Sequence, residues 1–568
     1  MLPRRKIQFL GIVCIMVLAS IAEIFSLGMV VPFLVVLVDP SGVHGIPVLG
    51  DLLRTSGERQ SIVLLGAAFC VATIVSALVR LLMLYATTKF TFVLGADISL
   101  DVYRKALLQP YAVHISRNSS EVINSVASKA SAVSSNIIGQ FLTISSAVIL
   151  STGVVGALIV VSPVITLVSA AGFVALYIFI LLVTRKAVAR QSQVISIEGP
   201  RAYRALQEGL GGIRDVIIDG TQDTFVEAYR ISDRRMRVAQ ARIIMAGGSP
   251  RFLVESLGMV VIVVVAITAT AGGASASIVA VLGALALGAQ RLLPVIQQAY
   301  AAIITIRGSE ALLWDVLEIL DSSTDRRQIA GRDDVTFERQ IQFSDVSFRY
   351  APSDQAVLDS VSFIIPCGAR VGIYGPTGGG KSTLLDLLMG LLHPTSGEML
   401  VDDVKVDTAN RASWQKHIAH VPQSIFLTDA SIAENIAFGR PRDQIETERV
   451  RQAAQMARIG DFIESLPADY ETSVGERGTR LSGGQRQRVG IARALYKKAS
   501  LIIFDEATSA LDSQTETEVM AAINGLSGDL TVVIVAHRMT TLRGCDILFE
   551  VRDGRVRKVS PSEAFGGG

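Results

Sequence analysis

The sequence predicts an α-helical membrane domain with six transmembrane helices extending into the cytoplasm, followed by an α/β domain. Three observations carry this. Charge is sparse before about residue 310 and dense after it, although the whole chain averages 50% hydrophobic and 18% charged. The first region is a series of apolar stretches long enough to cross a bilayer. The second contains short buried-strand patterns followed by turns and helices, one of them built around a glycine-rich loop.

The first apolar stretch, 9–38, is roughly 30 residues long, whereas the apolar core of a secretory leader is about 7–15. It therefore reads as a membrane helix. Further spans are expected at 61–88, 137–161, 164–184, 252–271 and 278–306. At a rise of about 1.5 Å per residue, a 30-residue helix is about 45 Å long, so the longer ones must tilt or project beyond the hydrocarbon. Arg4, Arg5 and Lys6 place the N-terminus in the cytoplasm of a multi-pass inner-membrane protein. Six crossings then return the chain to the cytoplasmic side.

Connections assigned outside are short (40–60, 162–163 and 272–277), while those assigned inside, 89–135 and 185–251, are long and helical in pattern. Loops of that length rarely lack structure, so the helices are expected to continue into the cytoplasm and turn at 111–121 and 212–227. Each turn would present a small surface to the second domain. Between the first two crossings, Ile46, Val48, Leu49, Leu52 and Leu53 beside Asp51 and Arg54 fit a short amphipathic helix on the outer surface. A turn closed by Pro40 and Pro47 fits equally well.

The net charge of +2 and the absence of any long basic run point away from a nucleic-acid partner. Cys14, Cys70, Cys367 and Cys545 lack the paired spacing of zinc sites or disulfide scaffolds and read as packing residues.

The membrane domain is expected over 1–318, a polar linker over 319–340 and the second domain over 341–568. In that second domain a buried strand leads into Gly375-Pro376-Thr377-Gly378-Gly379-Gly380-Lys381-Ser382-Thr383 and then a helix. Strand, glycine loop and helix together make a phosphate-binding loop credible, because small residues let backbone N–H groups converge at the positive end of the helix dipole. Lys381 suits the β- and γ-phosphates, and Ser382 suits Mg²⁺. A second buried strand ends in Asp505 and Glu506, suited respectively to the metal shell and to polarising an attacking water. About one hundred residues after the phosphate loop comes Leu481-Ser482-Gly483-Gly484-Gln485.

That order of motifs resembles the ABC exporter superfamily, and the resemblance covers the whole chain. It implies an ATPase using ATP and Mg²⁺. By the same resemblance Tyr350 stacks on adenine, and Gln423 couples metal and water to the membrane domain. His537 contacts the γ-phosphate, and Ser509-Ala510-Leu511-Asp512 crosses between paired ATPase domains. In this family Ser482, Gly483, Gly484 and Gln485 cap ATP held by the opposite ATPase domain, and this chain carries one set of each part. Two chains are therefore expected, with a homodimer the simplest solution and pairing with a different half-transporter the runner-up.

Glu23, Arg80, Glu255 and Arg291 lie inside expected spans, and Arg251 lies at the start of the fifth. Intramembrane ionisable groups are costly and so are functional candidates, although snorkelling would account for Arg80 and Arg251. The segments Ala22-Glu23-Ile24-Phe25, Ser249-Pro250-Arg251-Phe252-Leu253-Val254-Glu255 and Gln290-Arg291-Leu292-Leu293-Pro294 resemble bacterial flippases of lipid-linked oligosaccharides serving protein N-glycosylation. This implies a polyprenyl-pyrophosphate glycan as substrate, with Arg80, Arg251, Arg291 and Glu23 at its site. A general exporter of peptides, drugs or other lipids, and a non-transporting regulator or channel, are the other readings.

Overall fold

The computed structural model describes residues 3–38, 58–116, 122–123, 125–161, 163–271, 276–321, 335–351, 355–506, 513–524, 530–536 and 538–565. The candidate surface helix at 45–54 lies outside them. The chain divides into two compact units, Met1–Gln109 with Arg117–Ser323, and Pro110–Ser116 with Thr324–Gly568.

The first unit is helical. Its long elements are Pro3–Val38, Glu58–Leu107, Gly139–Val161, Pro163–Gly211, Gln222–Gly248, Pro250–Ala271 and Ala276–Gly308. Helix Glu58–Leu107 has 50 residues, about 75 Å at helical rise, so it runs well past any bilayer, as does Pro163–Gly211. Pro163 and Pro250 open their helices, where a missing N–H costs nothing. Among the described residues four stretches are long and apolar enough to span a membrane: Pro3–Ser26, Val63–Leu107, Ser125–Ala157 and Ala170–Gly211. The fifth and sixth expected spans fall on helices Pro250–Ala271 and Ala276–Gly308, much of whose side-chain detail is outside the described residues.

Close helix approach is written into the sequence at Gly153, where a Cβ would lie 2.4 Å from Ser20 Oγ on the first helix. Towards the cytoplasmic end, Val102, Ala106, Ala130, Val133, Val316 and Ile319 form a small core. Beside it the buried Lys129 ammonium pairs with Asp315 at 2.7 Å, and Ser196 donates to the same carboxylate oxygen at 2.8 Å. Both expected cytoplasmic turns hold a short helix, Tyr111–Ser116 and Ile213–Ile218, the latter followed by Gly220 at φ +63°. The first belongs by its contacts to the second unit. Cys545 is buried, but Cys14 and Cys70 are exposed on membrane helices and do not pack as expected.

The second unit contains two sheets. β1 (Gln340–Phe348), β2 (Leu358–Pro366), β4 (Ser396–Val401) and β5 (Val404–Lys405) form an antiparallel sheet in the order β2-β1-β4-β5. The larger sheet has the order β10-β9-β3-β8-β7-β6. In it β3 (Arg370–Tyr374), β6 (Ile418–Val421), β7 (Leu501–Asp505), β8 (Thr531–Val535) and β9 (Ile547–Arg552) are parallel, and β10 (Arg555–Val559) pairs antiparallel to β9. β7 and β8 are almost continuously buried, as strands covered on both faces must be, whereas β2 alternates buried and exposed residues. This topology puts the C-terminal ends of β3, β8 and β7 side by side, and in an open parallel sheet ligands bind outside those ends.

Candidate functional site

β3 ends at Tyr374, and the chain turns through Gly375 at φ +151° into the glycine loop. A Cβ at Gly375 would lie 2.0 Å from the Val551 carbonyl oxygen, so no other residue fits there. Gly380, at φ +102°, starts helix Lys381–Leu388. Lys381 is buried, and its ammonium donates to the carbonyls of Gly375 and Pro376, both at 2.9 Å. The loop, the helix start and the buried cation make a cradle that fits a phosphate chain.

Two strands away, β7 delivers Asp505 and Glu506. Glu506 has φ +52°, a left-handed conformation costly for a residue with a Cβ and characteristic of functional turns. Its N–H donates to Val535 O at 3.0 Å, locking the turn to β8. Gln423 Nε2 donates to Glu506 Oε2 at 2.8 Å, so these two expected site residues are in direct contact. Tyr350 is half exposed, packs its ring edge-on against Phe348 and hydrogen-bonds Thr383 Oγ1 at 3.1 Å, which brings it to the phosphate-loop helix. His537 and Ser509 to Asp512 lie outside the described residues.

Ser482 caps helix Gly483–Lys497 through a reciprocal pair: its Oγ accepts from Gln485 N at 3.2 Å, and its N–H donates to Gln485 Oε1 at 2.8 Å. The helix start is therefore fixed and exposed. Among the described residues, Ser482 to Gln485 make no hydrogen bond to the phosphate loop of the same chain.

Asp386, on the phosphate-loop helix, was not among the sequence candidates. Burial, reinforced by Asp505, pushes its carboxyl up to about 6. A lone Asp inside Leu384-Leu385-Asp386-Leu387-Leu388 was the available signal, because a carboxylate within an apolar run must face either a site or a partner.

In the membrane unit Arg80 and Arg251 each lie beside a different carboxylate. Arg80 Nη1 lies 3.7 Å from Glu23 Oε2, and Ser76 donates to that oxygen at 2.7 Å. Glu23 is buried, while the Arg80 side chain is nearly half exposed. This cluster borders a cavity of about 410 Å³ with Met16, Ser20, Ser146, Pro294 and Gln298 on its walls. Arg251 pairs with Glu255 at 3.6 Å instead, and the Arg291 side chain is outside the described residues.

An α-helical membrane unit joined to a nucleotide-binding α/β unit defines the class of ATP-driven membrane transporters, whose ATPase domains use ATP with Mg²⁺ and couple its hydrolysis to transport. The ABC transporter transmembrane region matches residues 9–285, and the ABC transporter family matches 358–509, within the α/β unit. Both matches are to ABC transporter domains and together they cover most of the chain, which belongs to the ABC transporters as an integral membrane protein. It is 44% identical over 245 residues to a β-(1→2)glucan export ATP-binding/permease protein of Rhizobium etli, covering 43% of this chain and 41% of that one. It is 40% identical over 217 residues to an ATP-dependent lipid A-core flippase of Ralstonia nicotianae, covering 38% and 37%. A lipid A-core flippase of Cupriavidus metallidurans is 32% identical over 365 residues, covering 62% and 60%. The chain thus spans less than two thirds of the length of these relatives. The solved structure of a bacterial Atm1-family ABC exporter with ATP bound has the same fold, with a TM-score of 0.82 at 22% identity over 99% of this chain and 96% of that one.

Proposed function

We propose that the chain is one half of an ATP-driven flippase that turns a phosphate-bearing glycolipid from the inner to the outer leaflet, with a lipid-linked oligosaccharide as the best candidate. The observation that carries this reading is the Glu23–Ser76–Arg80 cluster beside a membrane-unit cavity. Ionisable groups kept at such a place favour a charged cargo. A phosphate head would compete with Glu23 for the guanidinium, which pairs with phosphate in a bidentate way. The names of the relatives, a glucan exporter and lipid A-core flippases, support a glycan-bearing cargo. The latter also favour a second reading, a flippase for another glycolipid.

When bound, ATP with Mg²⁺ supplies the phosphoryl bond whose cleavage drives the cycle. Lys381 and the loop N–H groups would neutralise and orient the phosphates, and the Ser382 hydroxyl with Asp505 would hold the metal. Glu506 orients the attacking water and draws on its proton, while the Gln423 amide keeps the Glu506 carboxylate aimed. Tyr350 would offer its exposed ring to adenine, and by the family resemblance His537 would contact the γ-phosphate. Ser482 and its helix start would serve ATP on a second copy of the chain, which makes a homodimer the working unit.

The test is flipping of a polyprenyl-pyrophosphate glycan in proteoliposomes. Wild type should move it in an ATP-dependent manner. Replacing Arg80, Arg251 and Arg291 together by Ala should slow flipping at least about tenfold while ATP turnover persists. Export of peptides without movement of the glycolipid would replace this reading with that of a general exporter.

A further inference from the structure

The cytoplasmic extensions of the first unit contain a groove of about 680 Å³ between helices Pro163–Gly211 and Gln222–Gly248. Arg190 comes from the first helix, and Arg230, Arg234, Arg235 and Arg242 come from the second. Glu198 is the one carboxylate on its wall. Val194 and Val238 give the groove an apolar stretch between its charged ends.

Cytoplasmic segments of membrane proteins carry extra Lys and Arg as a matter of topology. Topology does not explain two features here. Helix Gln222–Gly248 has arginines but no lysine, and four of those arginines line the groove, Arg230 and Arg234 four residues apart and Arg234 and Arg235 adjacent, so that like charges repel. The carboxylates nearby do not neutralise the set. Glu227 takes Arg230 at 2.6 Å, Asp233 takes Arg237 at 3.3 Å, and Glu198 is shared by Arg201 and Arg235 at 3.1 and 3.4 Å. Arg190 and Arg234 have no ion-pair partner among the described residues, and Arg242 meets only the Gln191 amide, at 3.5 Å. Three guanidinium groups from two helices are therefore left to face the same space.

We propose that this groove is a binding site for a phosphate-bearing anion, and for a pyrophosphate group above all, with Arg190, Arg234 and Arg242 as its ligands. Planar, permanently charged donors arriving from both walls suit the several oxygens of such a group better than lysines would. Arg242 stands nine residues before Arg251, near the end of the helix that precedes the membrane helix Pro250–Ala271. On the flippase reading above, the head group is held here before it enters the membrane unit, and that role rests on that reading. The binding chemistry does not.

Binding of inorganic pyrophosphate is measured by calorimetry on the full chain in nanodiscs, in a Lys381→Ala background so that the ATP site does not contribute. A short prenyl pyrophosphate is the second probe. The expected result is salt-sensitive binding that weakens at least about tenfold in the Arg190→Gln/Arg234→Gln/Arg242→Gln variant and largely survives in the corresponding triple Lys variant. Size-exclusion elution and melting of both variants establish that they are folded. Tighter binding of the prenyl compound identifies a lipid head group as the ligand, and equal binding identifies a free phosphate compound. Equal pyrophosphate affinity in wild type and the Gln variant overturns the proposal. So does an absence of binding in wild type together with loss of the dimer in the Gln variant, which would make the groove a subunit contact. If pyrophosphate binding is lost as expected but wild type flips no glycolipid, the flippase reading fails and the anion site stands.

Discussion

The two units keep their charged chemistry in different ways. In the ATPase unit the decisive groups come from short segments at the ends of three neighbouring strands, and the backbone itself is shaped to hold them, with Gly375 where a Cβ would strike Val551 and Glu506 at φ +52°. In the membrane unit two ion pairs join helices far apart in sequence, Glu23 with Arg80 and Lys129 with Asp315, while Arg190, Arg234 and Arg242 have no carboxylate partner among the described residues. A site built from backbone geometry tolerates almost no substitution and leaves a motif. A site built from compensating side chains leaves only isolated charges.

The sharpest test of that contrast is Glu506→Gln. It should reduce steady-state ATP hydrolysis by at least about 1000-fold, since it removes the proton acceptor, while nucleotide still binds the intact loop. Turnover and equilibrium binding on the purified variant check this, and near wild-type turnover would remove Glu506 from its role. Next comes the division of one site between two chains. Ser482→Arg and Lys381→Ala homodimers should each be inactive, whereas mixed dimers retain one unaltered composite site and should recover up to about half of wild-type turnover. Inactive mixed dimers would put both halves of the site on one chain.

On the membrane side the expected loss is in stability. Asp315→Ala strands the buried Lys129 ammonium and should cost about 3 kcal/mol, read as a lower melting temperature in detergent. The double variant with Lys129→Met should recover most of that loss, because no uncompensated charge then remains. Recovery by Lys129→Met is the outcome that separates compensation from a role in transport.

This contrast also explains what the sequence revealed. The phosphate loop, Asp505-Glu506 and Ser482 to Gln485 were legible because each is a local string whose spacing has one chemical reading. The contact of Gln423 with Glu506 needed the fold, since 83 residues separate them and only the pairing of β6 with β7 brings their strands together. The long helices were legible from the length of the cytoplasmic connections. The arginine groove was not, because Arg190 and Arg242 belong to segments that read individually as ordinary polar helix and meet only when those helices pack. The pairing of Arg80 with Glu23 was missed for the same reason: the two residues lie on different helices, and their charges were read separately.

The smallest effect concerns Asp386, where the ATPase unit departs from its own pattern by holding a carboxylate with no cation paired to it among the described residues. Burial and the neighbouring Asp505 raise its pKa to about 6, against about 4 in the unfolded chain. Because the shift is upward, ionisation opposes folding, so the penalty is absent below about pH 4, grows as the pH rises and is complete above about pH 6. Asp386→Asn removes the titration and should stabilise the unit by about 1–2 kcal/mol at pH 8, with the gain shrinking below pH 6 and vanishing near pH 4. Melting temperatures of wild type and variant measured across that range provide the check. A gain that is constant with pH would mean that the asparagine packs better for reasons unrelated to charge, and a loss at pH 8 would show that the carboxylate is held by a cation after all.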